Sequence, residues 1–246
     1  MQSFQNFFSR HAKEYASSEN RIKAKDLDLL VAMLNPKNTE KALDLGTGPG
    51  FVAFRMAEKV SISVGLDFTE NMLDIAARKA LSVSNTVFVK GDATSIPFPD
   101  ETFDIVTCRR AAHHIKNKEK LIKEVRRVLK KDGKFGLTDN LKPIGDKLGI
   151  MNKMEIARDS TYMGAISLNQ WFKLFKENAF RVDDFTTFDI RETFDSWLSP
   201  VSKNSPGGKK ARVILNNNLN YFKEIFGYKK DMDSFNKTRF IIVARK

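Results

Sequence analysis

The chain has 246 residues, of which 41% are hydrophobic and 29% are charged. This length suits one large α/β domain, and this composition excludes a mostly disordered or collagen-like protein. No apolar run approaches the roughly 20 residues that cross a bilayer, and the N-terminus lacks the apolar core of a secretory signal. The single cysteine, Cys108, excludes an internal disulfide and a thiolate metal cage. We therefore expect a cytoplasmic protein with no membrane span and no bound metal.

Charge is the unusual bulk property, because 42 Lys and Arg residues against 30 Asp and Glu residues give a net charge of +12. Such an excess is compatible with binding to RNA. The basic residues are spread along the chain, however, and they form no long basic run or arm. This distribution favours a solvated basic surface, with RNA binding as the alternative.

Short apolar runs alternate with helical patterns, which predicts a parallel sheet with helices on both faces. A first helix over Asp26–Leu34 ends at Asn35-Pro36. The predicted strands that follow are Lys41–Leu45, Ile62–Leu66, Thr86–Val89, Phe103–Cys108 and Lys134–Asp139. The predicted helices between them are Gly50–Val60, Thr69–Ala80 and Asn117–Leu129, with Thr69 and Asn117 as N-caps and Gly133 just past the last helix.

The pattern loosens after Asp139, where residues 141–166 predict an insertion with a short helix. A capping box at Ser167–Gln170 opens an amphipathic helix that runs through Lys176. The remaining predicted elements are a strand over Arg181–Ile190, a loop over Ser205–Gly208, a helix over Lys209–Phe226 and a last strand over Thr238–Ala244. We expect a single domain over residues 1–246, with residues 40–140 as its core.

A glycine-rich turn joins the first strand to the helix that follows it. Gly46, Gly48 and Gly50 come directly after Asp44 and the end of the strand. Glycines allow positive φ and a close approach of the backbone to a ligand, and a helix N-terminus favours polar or anionic groups. The spacing is G-x-G-x-G rather than the G-x-G-x-x-G of dinucleotide-binding folds, since Phe51 stands where that motif has its third glycine. This difference argues against a pyrophosphate cofactor.

Acidic residues end the next two strands. Asp67 can accept hydrogen bonds from both ribose hydroxyls, and Asp92 can accept one from the amine of adenine, with the backbone N–H of Ala93 available to a ring nitrogen. Together with Asp44 they place three acids at the carboxyl ends of three consecutive strands, where open α/β sheets bind ligands. The pattern predicts a nucleoside ligand.

The same segments resemble a known family. The residues that carry the resemblance are ALDLGTGPG (42–50), VGLDFTENML (64–73), GDATSIPFPDETFDIVTC (91–108), HHI (113–115) and EVRRVLKKDGKF (124–135). In this order and spacing they resemble the class I S-adenosylmethionine-dependent methyltransferases, and within them the ubiquinone/menaquinone C-methyltransferase-like group with a type 11 methyltransferase domain. The resemblance covers about residues 40–140 and is loose in the C-terminal half.

The resemblance implies a Rossmann-like, doubly wound α/β fold with a seven-stranded, mostly parallel sheet whose last strand is antiparallel. It implies S-adenosylmethionine as the cofactor and S-adenosylhomocysteine as its product. The glycines would hold the methionine part, Asp67 the ribose, and Asp92 with Ala93 the adenine. Met72 would pack on the adenine or in the helix core, and Arg109 would lie at the cofactor site, bind an anionic substrate or turn outward. The expected cofactor-site residues are Asp44, Gly46, Gly48, Gly50, Asp67, Met72, Asp92, Ala93 and Arg109.

The adjacent His113 and His114 follow the fourth strand, near the carboxyl edge of the sheet. In similar O-methyltransferases a histidine here acts as a base together with an acid at the end of the fifth strand, which is Asp139 in this chain. His113 and Asp139 are therefore the candidate catalytic pair. A structural role stays open because many members of the family methylate carbon, and so does the question of which histidine faces the site.

The leading hypothesis is methyl transfer to a small aromatic or quinone-like molecule. Residues 1–35 would form cap helices over the cofactor, residues 141–166 a substrate lid, and residues 167–246 the end of the sheet with a helical insertion. The alternatives are a tRNA or rRNA methyltransferase and a non-catalytic cofactor-binding module, and the chain would be a monomer or a homodimer. The aromatic residues of the cap, which are equally compatible with core packing, are Phe4, Phe7, Phe8 and Tyr15.

Overall fold

The computed structural model describes residues 2–18 and 25–246, and these residues form one seven-stranded sheet. The strands lie in the order β3-β2-β1-β4-β5-β7-β6. Their bounds are β1 Lys41–Leu45, β2 Ile62–Asp67, β3 Thr86–Lys90, β4 Phe103–Arg109, β5 Leu129–Asn140, β6 Arg181–Thr193 and β7 Ser234–Arg245. Each predicted strand overlaps an observed one, although β5 begins at Leu129 and β7 at Ser234, before their predicted starts at Lys134 and Thr238.

The directions of the strands decide which residues meet at one edge of the sheet. β1 pairs in parallel with β2 and β4, and β4 pairs in parallel with β5. β7 runs antiparallel to both β5 and β6, and in this register Arg239 lies opposite Asn140. The first half of β7 thus lies at the same edge as the carboxyl ends of the parallel strands. This topology confirms the mostly parallel sheet with an antiparallel last strand.

Helices cover both faces of the sheet, as the doubly wound prediction requires. Side chains of α6 and α8 pack with Phe135 and Val106 on one face, and α3 and α4 pack with Ile105 and Ile241 on the other. The helices are α1 Gln2–Arg10, α2 Ala12–Ser17, α3 Lys25–Leu34, α4 Phe51–Ala57, α5 Glu70–Ala80, α6 Lys118–Val128, α7 Ile150–Arg158, α8 Leu168–Glu177, α9 Phe194–Leu198, α10 Pro206–Asn217 and α11 Leu219–Phe226.

The insertion after β5 packs against the C-terminal helices. Met154 of α7 belongs to one apolar cluster with Trp197, Leu215, Phe222 and Phe235. The short helix predicted within residues 141–166 is therefore present as α7, and it shares a core with the segment between β6 and β7.

The predicted helix caps have mixed outcomes. The side chain of Asn117 accepts the N–H of Lys120 at 2.9 Å, and both hydrogen bonds of the Ser167–Gln170 capping box form. Thr69 stands at the N-cap of α5, but its side chain caps nothing. Instead Asp67 Oδ1 accepts the N–H of Thr69 at 2.8 Å, so a ligand-binding candidate also orders this turn.

Three details of the second half of the chain were predicted wrongly. The segment Ser205–Gly208 opens α10 rather than forming a loop, because Ser205 caps the N–H of Gly208 and proline is tolerated in the first turn. The predicted helix over Lys209–Phe226 is divided at Asn218, whose φ of −128° is not helical. Gly133 lies within β5, since this strand begins at Leu129 directly after α6.

The N-terminal helices have two different environments. α1 and α2 lie against α5, where Phe8 and Ala12 pack on Met72, whereas α3 packs on the sheet. Residues 1 and 19–24 of the predicted cap, and the side chain of Phe4, lie outside the described residues. No helix in the described part of the chain is long and apolar enough to span a membrane.

Candidate active site

A cavity of about 500 Å³ opens at the carboxyl edge of the sheet, and we call it the edge cavity. It has the size of a typical small-ligand pocket. The predicted residue Gly50 does not line this cavity. It instead allows close packing, since a Cβ at this position would lie 2.7 Å from the ring of Phe54 and 2.9 Å from the ring of Phe88. The predicted cofactor-site residues that do line the cavity are Asp44, Gly46, Gly48, Asp67, Met72, Asp92, Ala93 and Arg109.

The glycine turn brings backbone, rather than side chains, to the edge cavity. Gly46 and Gly48 have φ values of +63° and +53°, in the left-handed region that favours glycine. A Cβ on Gly46 would lie 2.5 Å from the Cβ of Ala111, whereas a Cβ on Gly48 would meet nothing within 4 Å. Gly46 therefore permits close packing of the turn against the segment after β4, and Gly48 leaves open space in the cavity.

Asp67 connects the glycine turn to the end of β2. Its Oδ2 accepts the N–H of Gly48 at 2.7 Å, and its Oδ1 accepts the N–H of Thr69 at 2.8 Å. Burial raises the pKa of this carboxyl, and only 9% of the residue is exposed. The hydroxyl of Thr69 and the backbone of Phe68 also donate to this carboxylate, so Asp67 is a hydrogen-bond acceptor that the turn already orders.

Asp92 and Asp44 line the same cavity in contrasting surroundings. Asp92 is exposed, and its Oδ1 accepts the N–H of Thr94 at 2.7 Å. Asp44 is buried and accepts the hydroxyl of Thr107 at 2.8 Å. Burial raises the pKa of Asp44 to about 7. Asp92 thus offers an accessible acceptor, whereas Asp44 also links β1 to β4.

Arg109 does not turn outward, because only 9% of it is exposed and it binds Asp26. Its Nε and Nη2 donate to the two carboxylate oxygens at 3.1 and 3.0 Å. Arg110 binds the same two oxygens at 2.9 and 2.7 Å, from a backbone with a φ of +52°. The acid that pairs with both arginines was not predicted, since its only sequence signal is an acidic residue in the first turn of α3.

Asp26→Asn is expected to lower the free energy of unfolding by about 2 kcal/mol at pH 7. Burial alone would raise the pKa of Asp26, but Arg109 and Arg110 hold it at about 2, below the usual 3.8. The unfolded chain therefore binds this proton more tightly, so the contribution is complete above about pH 4 and is lost as the pH falls toward 2. Urea unfolding at pH 7 and pH 3 measures it.

The control for this experiment is Asp28→Asn, which removes an exposed partner of Arg55. We expect the control to change stability by less than about 1 kcal/mol at either pH. A stability difference between Asp26→Asn and the wild type that is equal at pH 7 and pH 3 would contradict the account.

His113 and Asp139 are in direct contact, as the sequence predicted. The Nδ1 of His113 lies 2.5 Å from Asp139 Oδ1, and the backbone N–H of His113 donates to Oδ2 at 2.9 Å. Burial alone would raise the pKa of Asp139, but the charge of His113 and these hydrogen bonds lower it. A carboxylate at Nδ1 fixes a proton there and leaves Nε2 as the basic nitrogen.

His114 faces the edge cavity, whereas His113 does not. The Nδ1 of His114 lies 3.1 Å from the hydroxyl of Thr161, and its ring meets the ring of Phe8 edge-on. Burial and the charge of His113 lower the pKa of His114 well below its usual value. His114 is therefore uncharged at pH 7 and adds a neutral side chain to the lining of the edge cavity.

Comparison with known proteins identifies the family. Residues 43–137 match the type 11 family model described as a methyltransferase domain. The chain is 32% identical over 214 residues to an uncharacterized methyltransferase, YcgJ, of Bacillus subtilis, covering 86% of this chain and 84% of that protein. The chain belongs to the class I S-adenosylmethionine-dependent methyltransferases. The crystal structure of YcgJ superposes on this methyltransferase with a TM-score of 0.82 and 30% identity, over 90% of this chain and 97% of that one.

Two further comparisons bear on the reaction of this methyltransferase. A demethylmenaquinone methyltransferase of Lactobacillus johnsonii is 36% identical over 116 residues, which cover 45% of this chain and 48% of that protein. A phosphoethanolamine N-methyltransferase of Haemonchus contortus, solved in complex with S-adenosylmethionine, shares the fold with a TM-score of 0.70 at 21% identity, over 99% of this chain and 60% of that chain. The Haemonchus structure shows the fold alone, whereas the family match and the sequence similarity to YcgJ show the enzyme class and so remove the non-catalytic alternative.

A second cavity of the methyltransferase, of about 760 Å³, was not predicted, and we call it the charged cavity. Among the described residues, Phe8, Tyr15, Arg110 and His114 line both cavities. His113 lines only the charged cavity. Lys237 and Arg239 of β7 line the charged cavity. Two cations at alternate positions of an apolar strand could have indicated a charged site, but the predicted strand began only at Thr238 and so left Lys237 out.

Proposed function

We propose that this methyltransferase moves a methyl group to a hydroxyl of a small aromatic or quinone-like molecule, with His113 as the base. The observation that carries the proposal is the pair of adjoining cavities. The glycine turn and Asp67 line one, His113 lines the other, and Phe8, Tyr15, Arg110 and His114 line both. A cofactor and an acceptor bound on the two sides would be close enough for a direct transfer.

The residues of the edge cavity fit S-adenosylmethionine, which supplies an electrophilic methyl group when it is bound. Gly46 and Gly48 would leave room for its methionine part, since Gly48 opens on empty space. Asp67, whose carboxylate lines the edge cavity beside the glycine turn, would accept the ribose hydroxyls. Asp92, with an exposed carboxylate, would accept the adenine amine.

Further contacts to the cofactor come from apolar side chains. Met72 is 2% exposed, packs with Phe8 and also lines the edge cavity. Its two predicted roles are therefore compatible, because one side of the thioether can belong to the helix core and the other to an adenine ring. Ala93 lies beside it in the lining of the cavity.

The aromatic side chains of the charged cavity support an aromatic acceptor. Phe188 and Trp197 line it together with Tyr15 and Phe8. Aromatic rings prefer offset or edge-on contacts with other rings, which such a set can provide. The similarity to a demethylmenaquinone methyltransferase supports a quinone-like ring in the same way, although it covers only about half of that protein.

The His113–Asp139 pair would remove the proton that leaves the acceptor. Asp139 holds the Nδ1–H of His113 and so leaves Nε2 to accept a proton from the hydroxyl oxygen. As that oxygen bonds to the methyl carbon, the carbon–sulfur bond breaks and the products are a methyl ether and S-adenosylhomocysteine. Asp139 positions the histidine and stabilises its protonated form.

Transfer of a labelled methyl group from S-adenosylmethionine to a panel of phenols and hydroquinones tests the proposal. We expect label in at least one of these acceptors and none in bulk tRNA. The RNA alternative rests on the net charge of +12 and on the resemblance of HHI (113–115) to a motif of some tRNA methyltransferases. Label in tRNA but in no phenol or hydroquinone would overturn the proposed acceptor class in favour of RNA.

A further inference from the structure

Arginine and lysine dominate the charged lining of the second cavity. Leaving histidines aside, the basic lining residues in the described part of the chain are Lys25, Arg110, Arg158, Arg191, Lys237 and Arg239. The acidic lining residues are Asp26, Asp159, Asp189 and Glu192. This excess is local, so it differs from the diffuse basic surface expected from the composition.

Two buried carboxylates are each shared by two cations: Asp26 lines this cavity, and Glu155 lies behind Arg158 and Lys237, which line it. Asp26 binds both Arg109 and Arg110. Glu155, which is 1% exposed, binds Lys237 Nζ at 2.5 Å and Arg158 Nη2 at 2.6 Å. Each cluster therefore keeps one positive charge that its carboxylate does not neutralise.

Two of the acids that line the cavity accept hydrogen bonds from neighbouring side chains or backbone, whereas Oε2 of Glu192 is buried with no hydrogen-bond partner among the described residues. Asp159 Oδ1 accepts the N–H and the hydroxyl of Thr161 at 2.8 and 2.6 Å. Asp189 Oδ1 accepts the hydroxyl of Thr238 at 2.7 Å. Among the described residues, the six cations of the lining still exceed its four acids, and this net positive charge disfavours a cationic acceptor.

Arg110 and Arg239 each have guanidinium N–H groups that no residue of the described ranges accepts. Nη1 of Arg110 donates no hydrogen bond to any residue in the described ranges, since its bonds to Asp26 use Nε and Nη2. Arg239 is held only at long range, with Nε 3.5 Å from Asn140 Oδ1 and Nη2 3.7 Å from Glu192 Oε1. Its side chain is nevertheless only 10% exposed.

The sheet brings these two arginines to the same edge. Arg110 follows β4 and donates its backbone N–H to Thr138 of β5, and Arg239 of β7 lies opposite Asn140 of β5. Burial above all, and then the charges of Arg109 and Arg239, lower the pKa of Arg110 to about 9. Its left-handed backbone is a strained conformation of the kind that clusters at functional sites.

We infer that the methyl acceptor carries a carboxylate or phosphate group, which Arg110 and Arg239 bind in the charged cavity. A planar guanidinium matches the paired oxygens of either group, and the bonds are strengthened by charge. An anion there would neutralise the positive charge that Asp26 and Glu155 leave. The acceptor would then be an aromatic or quinone-like ring with an anionic group. This inference rests on the proposed function, because it names the acceptor of that site.

Calorimetric titration of the protein saturated with S-adenosylhomocysteine tests the inference. The probes are 4-hydroxybenzoate, 4-hydroxyphenyl phosphate and the neutral 4-hydroxybenzamide. We expect at least one anionic probe to bind about tenfold more tightly than the amide, with a preference that shrinks in 0.5 M salt. The tighter of the two anions identifies the group. Equal or tighter binding of the amide, or no binding of either anion, would overturn the inference.

Matched variants identify the residues. Arg239→Gln is expected to weaken the anionic probe about tenfold or more and to leave the amide unchanged, and Arg239→Lys to restore part of the loss. Arg78→Gln, an exposed position on α5, is the control and should change nothing. If Arg239→Gln fails to bind S-adenosylhomocysteine, Arg110→Gln replaces it, with the same expected loss. Unchanged anion binding in a folded variant would overturn the assignment.

The same titrations separate this inference from the proposed function. If the wild type binds S-adenosylhomocysteine but prefers the neutral probe, only the inference is wrong. If it binds no S-adenosylhomocysteine, the proposed function is wrong as well, since the edge cavity is then not the cofactor site.

Discussion

Replacing His113 by alanine is expected to lower the rate of methyl transfer to a hydroxyl acceptor about 10²- to 10⁴-fold. The reason is the contact between its Nδ1 and Asp139, which leaves Nε2 as the basic nitrogen of a residue that lines the charged cavity. Affinity for S-adenosylhomocysteine should change less than twofold, because His113 does not line the edge cavity. Rates with the labelled cofactor and calorimetry with its product measure the two effects.

A pH–rate profile distinguishes a base from a structural residue. The wild type should lose activity at acidic pH, where a base is protonated, and this limb should be absent from the residual rate of His113→Ala. His11→Ala is the control, since His11 lines neither cavity. A His113→Ala enzyme that keeps at least half of the wild-type rate, or an unchanged acidic limb, would show that His113 is not the base.

Replacing Asp67 by alanine is expected to weaken the binding of S-adenosylhomocysteine about 100-fold or more. The substitution removes the acceptor of the ribose hydroxyls, and charge-assisted hydrogen bonds of this kind contribute about 1.5–3 kcal/mol each. It also leaves the N–H groups of Gly48 and Thr69 without the carboxylate that orders the turn. Calorimetric titration of the variant and the wild type measures the loss.

Two companions show which effect dominates. Asp67→Asn keeps the size of the side chain but replaces one acceptor oxygen by an NH₂ donor. This NH₂ group must face either a backbone N–H or the ribose hydroxyls, so one set of hydrogen bonds is lost. We expect it to bind almost as poorly as the alanine variant. Asp74→Asn, on an exposed position of α5, should bind like the wild type. Binding by Asp67→Ala within threefold of the wild type would mean that Asp67 does not hold the cofactor.

Local patterns predicted most of the sheet and the edge cavity. β1 to β4 are short apolar runs bounded by glycine, asparagine or acidic residues, and their order along the chain determines which carboxyl ends meet. Asp67 and Asp92 could therefore be placed at one edge before the fold was known. The pairing of His113 with Asp139 was implied by the resemblance to O-methyltransferases, and the parallel neighbours β4 and β5 bring the two residues together.

The charged cavity could not be predicted in the same way. It combines Asp26 of α3, Arg110 after β4, Arg158 of α7 and Arg239 of β7, which lie far apart in the sequence. A pair such as Arg110 and Asp26 has no local signature, since each residue alone is typical of a solvated surface. The error at Ser205 had a different origin, because a serine, a proline and two glycines are equally typical of a loop and of a capped first helical turn.

The crystal structure of this methyltransferase with S-adenosylhomocysteine is the most direct test of the account. We expect the product in the edge cavity, with the ribose hydroxyls within hydrogen-bond distance of Asp67 and the sulfur toward the side chains of Phe8, Tyr15, Arg110 and His114 that line both cavities. A ribose bound away from Asp67, or a sulfur that faces away from the charged cavity, would contradict it.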